Sequence, residues 1–296
     1  MERISGYGYA QLVQDYGWLL RKYRFMSGHT IGRSVLGRPI VAIRCGSGPR
    51  LVHMNASFHA NEWMTSALLM RFLDEWGAAC LTGAPEARLY REVTLWAVPM
   101  VNPDGVELSL YGVSKDNPYR SKLLEWNGGN EAFDQWKANI RGVDLNDQFP
   151  AHWEEELRRR GTKGPSPRDY PGPYPLSEPE ARALAAMALR FPFDTVLALH
   201  TQGKEIYWNY RDYEPPYAER LADRLGRASG YKPVKLSGSD AGFKDWFIQC
   251  FRKPGFTIEA GEGVNPLPYA DFPAIYGEVR PLLLEALRLH DPAPAL

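Results

Sequence analysis

Apolar residues recur at helical spacing near the start of the chain, where Leu12, Tyr16, Leu19, Leu20 and Tyr23 fall on one side and predict an amphipathic helix over residues 8–24. Two strand-like runs follow, Arg38-Pro39-Ile40-Val41-Ala42-Ile43 and Arg50-Leu51-Val52-His53-Met54-Asn55. The intervening Gly46-Ser47-Gly48-Pro49 has the composition of a hairpin or tight connection. From Thr65 to Cys80 the residues Leu68, Leu69, Phe72, Leu73 and Trp76 share a face, so a helix begins shortly after Glu62. Val93 to Val98 reads as a buried strand leading into the turn-rich loop Pro99 to Gly105. Thr195 to Leu199 and Phe256 to Ile258 are two more short buried strands.

Strands alternating with helices predict an α/β fold, with a mixed, mostly parallel central sheet flanked by helices and functional residues at strand ends. Six prolines between Gly161 and Pro179 exclude helix or strand there and predict an ordered surface loop. Ser177 and Glu180 have capping-box spacing for a helix running through Leu189. No internal repeat or linker divides the chain, so a single domain over residues 1–296 is expected.

Composition narrows the class without changing this picture. Apolar residues make up 44% and charged residues 24%, as in ordinary globular proteins. Lys plus Arg and Asp plus Glu both number 35, leaving no basic excess to neutralise a phosphate backbone, so nucleic acid is not an expected partner. Cys45, Cys80 and Cys250 are too few and scattered for a disulfide framework or a cysteine metal site, and read as small core residues. The opening Met1 to Tyr7 does not read as a signal peptide, and no apolar run is long enough to cross a membrane. A cytoplasmic location without membrane association is the expectation.

His59 and Glu62 lie three residues apart, so one turn of chain can aim an imidazole and a carboxylate at the same point. Zinc accepts both donors and, in catalytic sites, usually takes three protein ligands plus water. His200 ends the apolar run Val196-Leu197-Ala198-Leu199 and is the candidate third ligand. His29, His53, His152 and His290 read as hydrogen-bonded or solvated imidazoles. Glu259 closes the run Phe256-Thr257-Ile258, where an unpartnered charge is costly and either a nearby cation or one of the arginines would offset it. Beside a metal-activated water such a carboxylate can act as general base and then general acid.

Taken together, His59-x-x-Glu62, Gly142-Val143-Asp144-Leu145-Asn146, His200 and Phe256-Thr257-Ile258-Glu259 resemble the zinc metallocarboxypeptidase family in order and spacing. Pro99 to Gly105, Pro175 to Glu180 and Asp245-Trp246 extend the resemblance over roughly residues 8–285. It implies a single Zn2+ ion held by His59, Glu62 and His200, with Glu259 as general base. It also implies that Asp144 orients a ligand histidine. Trp136-Lys137 stands where the family carries Trp-Arg, which makes Lys137 the candidate oxyanion stabiliser and Arg141 the fallback.

Two departures bear on the substrate. Asn146 matches the family asparagine that contacts a substrate carboxylate, but the following arginine is replaced by Asp147, then Gln148. Asp147 would repel a terminal carboxylate and welcome an ammonium group. Lys244 takes the position that sets side-chain preference, and the usual tyrosine before Asp245-Trp246 is missing, with Leu236 or Ser237 in its place and Tyr231 the nearest upstream. Asp147 and Lys244 together would suit the zwitterionic end of diaminopimelate. The run Gly142 to Pro150 is most similar to the γ-D-glutamyl-L-diamino acid peptidase subgroup, which cuts bacterial cell-wall peptides. A catalytic domain without a cell-wall-binding module, acting on soluble muropeptides, is therefore expected. The alternatives are a carboxypeptidase for ordinary peptides, in which Asp147 pairs with an arginine such as Arg141, a non-catalytic binding module and a zinc deacylase of N-acyl amino acids.

Overall fold

A computed structural model describes residues 6–290, so the expectation about Met1 to Ser5 lies outside the described residues. Eight strands form one sheet: β1 (Ser27–Arg33), β2 (Pro39–Gly46), β3 (Arg50–Ala56), β4 (Val93–Val98), β5 (Thr195–His200), β6 (Glu205–Tyr207), β7 (Lys232–Val234) and β8 (Gly255–Glu259). Their order across the sheet is β1-β2-β4-β3-β5-β8-β6-β7. The four central strands β4, β3, β5 and β8 are parallel, while β1, β2 and β6 add antiparallel pairings toward the edges. The α/β fold with a mixed, mostly parallel sheet is as the sequence predicts.

Ten α-helices flank the sheet among the described residues: α1 (Tyr9–Lys22), α2 (Met64–Thr82), α3 (Leu89–Glu92), α4 (Pro103–Tyr111), α5 (Arg120–Trp126), α6 (Trp153–Arg160), α7 (Pro179–Arg190), α8 (Ala218–Ser229), α9 (Phe243–Phe251) and α10 (Phe272–Arg288). Strand alternation divides the core in two. Leu197 and Leu199 of β5 join Phe256 and Ile258 of β8 under α1, α2, α8 and α10. Val196 and Ala198 face the other way, toward α7 and α9. A smaller cluster built on Leu108, Leu123, Phe133 and Trp136 underlies the segment that leads to the site.

Two local expectations are corrected. β2 and β3 do not pair as a hairpin, because β4 runs between them. Gly46 and Gly48 permit this: a Cβ on Gly46 would meet the Val93 carbonyl oxygen at 2.1 Å, and one on Gly48 would meet the Glu92 carbonyl carbon at 2.0 Å. The connection is therefore a gap through which the β4 backbone passes. Nor do Ser177 and Glu180 form a capping box: α7 starts at Pro179 with no side-chain cap on its first turn. Ser177 instead donates to Gln148 and Glu178, and Glu180 accepts from the Val35 amide at 3.0 Å.

The proline-rich stretch is an ordered loop with no helix or strand before α7. The Lys137 and Ala138 amides both donate to Pro167 O at 2.9 Å, the Ser166 amide donates to Gly142 O at 3.0 Å, and the Asp144 amide donates to Tyr170 O at 2.8 Å. No helix among the described residues is long and apolar enough to cross a membrane.

Candidate active site

Three neighbouring parallel strands deliver the site residues to one rim of the sheet. Just beyond β3, His59 has extended backbone and precedes a single 3-10 turn, Ala60–Glu62, which swings Glu62 back beside it. His200 ends β5 and Glu259 ends β8, and the two are direct register partners. Ligand-binding clefts in open α/β sheets form at the carboxyl ends of such strands.

The donor atoms of His59, Glu62 and His200 all lie within 4.8 Å of one another, and all three residues are buried. His59 Nδ1 is 2.8 Å from Glu62 Oε1. His200 Nδ1 is 3.0 Å from Glu62 Oε2 and 3.1 Å from His59 Nδ1. Two imidazole nitrogens facing each other beside a carboxylate form a dry N, O, N donor set that fits a divalent metal with an open coordination position. The Thr201 amide donates to Glu62 Oε2 at 3.3 Å and fixes the carboxylate from behind.

The other ring nitrogen of His59 lies 3.2 Å from Asp144 Oδ1, an ion-pair distance without hydrogen-bond geometry, on the side from which metal-bound imidazoles are generally oriented. Asp144 Oδ2 holds the Lys137 ammonium at 2.9 Å. Burial alone would raise the Asp144 carboxyl, but Lys137 and His59 hold it well below the usual range. Burial likewise works against the Lys137 charge, which Asp144 and Asp147 restore, so Lys137 stays an ammonium. Burial and the nearby Glu62 push Glu259 up to about 8 against the pull of His59 and Lys137. A cation at the donor set would bring it back down.

An open cleft of about 430 Å³ covers this rim, lined by His59, Glu62, Lys137 and Glu259 together with Asn61, Gln135, Arg168, Thr201, Gln202, Tyr207 and Gly263 to Asn265. Of the polar side chains here that sequence reasoning did not single out, Arg168 is the charged one and Tyr207 the aromatic one. Neither lies in a motif with ligand spacing, and Arg168 arrives from the proline-rich loop. Tyr207 is the cleft's tyrosine, donating to Glu205 at 2.7 Å, whereas Tyr231 is buried away from it against Glu278.

Several expected substrate residues are engaged elsewhere and do not line the cleft. Asp147 is buried and accepts two bonds from Arg160, at 2.9 and 3.1 Å, because α6 brings that guanidinium alongside it. Lys244 is buried with its ammonium on Asn209 O at 2.6 Å and Asp245 Oδ1 at 2.5 Å. Gln148 donates to Pro171 O and accepts from Ser177 and the Glu178 amide, which leaves its amide fully occupied in anchoring the proline-rich loop. Asn146 Oδ1 accepts from the Phe243 amide at 3.3 Å. Arg141 points to Tyr119 and Glu178, 3.3 and 3.6 Å away, so Lys137 is the cation beside the metal donors. The charge pairing imagined for Asp147 and Lys244 around a zwitterion is thus not present in the fold.

Comparisons with known proteins agree with this geometry. The family profile described as zinc carboxypeptidase matches residues 19–247. The chain is 46% identical, over 96% of its length and 73% of the relative's, to gamma-D-glutamyl-L-diamino acid endopeptidase 1 of Lysinibacillus sphaericus. It is 44% identical to the uncharacterized protein YqgT of Bacillus subtilis (strain 168), covering 98% of this chain and 80% of that one. In fold it resembles bovine thrombin-activatable fibrinolysis inhibitor, solved with tick carboxypeptidase inhibitor, with a TM-score of 0.74 at 18% identity over 96% of this chain and 97% of that one. With its donor set at the rim of a mostly parallel sheet and the family match spanning most of its length, the chain belongs to the zinc carboxypeptidase family.

Proposed function

We propose that this metallopeptidase hydrolyses the amide between a γ-D-glutamyl group and a diamino acid such as diaminopimelate in soluble cell-wall peptides. The observation that carries this reading is the 46% identity, over nearly the whole chain, with the Lysinibacillus endopeptidase. His59, Glu62 and His200 would hold a Zn2+ ion through their converging nitrogen and oxygen donors. Zinc bound there supplies Lewis acidity toward the scissile carbonyl and the attacking water. Glu259 takes the proton of that water and passes it to the leaving amine. Lys137, fixed by Asp144, faces the charge that develops on the carbonyl oxygen. Asp144 keeps His59 in the orientation that directs Nδ1 to the metal.

Zinc-loaded protein incubated with L-Ala-γ-D-Glu-diaminopimelate should release diaminopimelate, detectable by mass spectrometry. Simple peptides bearing an ordinary C-terminal residue should be cleaved far more slowly. Cleavage of only the ordinary peptides would overturn the γ-glutamyl assignment in favour of a general carboxypeptidase.

A further inference from the structure

The cleft is lined by one guanidinium, that of Arg168, which forms no ion pair among the described residues. Arg168 is exposed and lines the same cleft as the metal donors and Lys137. Among the described residues no carboxylate pairs with it. Its neighbours are fully engaged: Asp169 lies 3.3 Å from Arg160 and 3.6 Å from Lys137, and Lys137 is held by Asp144 at 2.9 Å. Asp169, the acid next to it in the chain, is therefore committed to other cations.

The backbone that presents Arg168 is unusually constrained for a loop. Pro167 O accepts two amides on one side, and the Tyr170 carbonyl accepts the Asp144 amide on the other. The Arg168 carbonyl itself accepts from the Ser166 hydroxyl. Asp169 between them has a left-handed φ of 64°, a conformation that a non-glycine residue holds only where its surroundings fix it. The same Asp144 that orients His59 thus also fastens the loop that carries Arg168. A guanidinium on so fixed a support offers a planar fork suited to a carboxylate.

We propose that Arg168 is a specificity residue that receives a free carboxylate of the substrate next to the scissile amide. The inference rests on the γ-D-glutamyl-diamino acid reading, whose substrates carry such carboxylates on both sides of the bond: the α-carboxylate of the glutamyl group and, of the two carboxylates of diaminopimelate, the one on the carbon that bears the acylated amine. With Asp147 and Lys244 tied to their own neighbours, the recognition expected of them passes to a residue of the proline-rich loop. Recognition is then of an anion by a rim guanidinium rather than of a zwitterion by two opposed charges.

The test is a set of substrate and enzyme pairings. Wild type and Arg168→Gln are compared on L-Ala-γ-D-Glu-diaminopimelate, on the analogue with the glutamyl α-carboxylate amidated, and on the analogue with the diaminopimelate carboxylate next to the scissile amide amidated. Arg168→Gln should lower kcat/KM on the parent by roughly 10–100-fold, chiefly through KM, with bound zinc unchanged. On one of the amidated analogues wild type and variant should become equal, and that analogue identifies the carboxylate. Equal losses on all three substrates, or no loss on the parent, would overturn the proposal. If wild type cleaves only ordinary C-terminal peptides, the γ-glutamyl reading falls. The same comparison on such a peptide, with its terminal carboxylate free or amidated, then decides the role of Arg168 on the same criterion.

Discussion

Glu259 ends a buried strand in a place where a carboxyl is uncomfortable as an anion, and it is held there by register with His200. A group pushed up to about 8 by burial and by Glu62 is ready to exchange a proton near neutrality once a cation approaches. Glu259→Gln keeps the shape and removes the exchangeable proton, so kcat should fall by about 10²–10⁴-fold. Metal analysis on the same preparation should find zinc at the wild-type level, and full activity would remove Glu259 from the proposed chemistry. Asp144→Asn acts differently, because it weakens the orientation of His59 from behind. Zinc affinity measured by chelator competition should drop about 10–100-fold. The metal donors and Glu259 were legible in the sequence because each stands at the end of an apolar run or in a spaced motif. Asp147 and Lys244 were not, because the meaning of a charge depends on what lies opposite. Arg160 reaches Asp147 only through the packing of α6, and no spacing rule announces that pairing.

Among the elements, the apolar runs and helical patterns located α1, α2, β2, β3, β4, β5 and β8 to within a few residues. β1 escaped because Ser27-Gly28-His29-Thr30-Ile31-Gly32-Arg33 is a largely exposed edge strand with a bulge and no buried alternation. β6 and β7 are three residues each, too short to show a period. The β2 to β3 connection, tight as expected but not a hairpin, gives a direct test: Gly48→Ala sets a methyl group against the Glu92 backbone, which cannot swing aside as a side chain would. A loss of about 1–3 kcal/mol or more is expected in urea denaturation. α7 contributes a pH test. Burial raises Glu180 from 4.5 to about 8, so the native protein holds a proton that the unfolded chain gives up. This contribution to stability is full below about pH 4.5 and is lost as pH rises through about 8. The denaturation midpoint should therefore fall between pH 5 and pH 8 more steeply for wild type than for Glu180→Gln. Parallel profiles would show that Glu180 is not the source of the slope.

For the molecule as a whole, the metal donors belong to the assembled sheet and to no single segment. Glu62 and His200 are 138 residues apart in sequence and meet only when β3 and β5 are in register. Pairing of such distant parts is expected late and slow in folding. Zinc binding these donors would meet a site that does not exist until the climb over the folding barrier is essentially complete. Its binding energy therefore belongs to the native side of that barrier, where it slows escape without hastening arrival. At a free zinc concentration of about 1,000 times Kd the stabilisation is about 4 kcal/mol, or roughly a thousandfold in the unfolding rate. Stopped-flow experiments with and without zinc should show the unfolding limb displaced and the refolding limb unmoved. Faster refolding with zinc would mean that the ligands meet before the sheet does. On the strand-end geometry, a bound ion would act as a latch on a finished structure, and depletion of zinc should shorten the native lifetime while leaving the ability to fold intact.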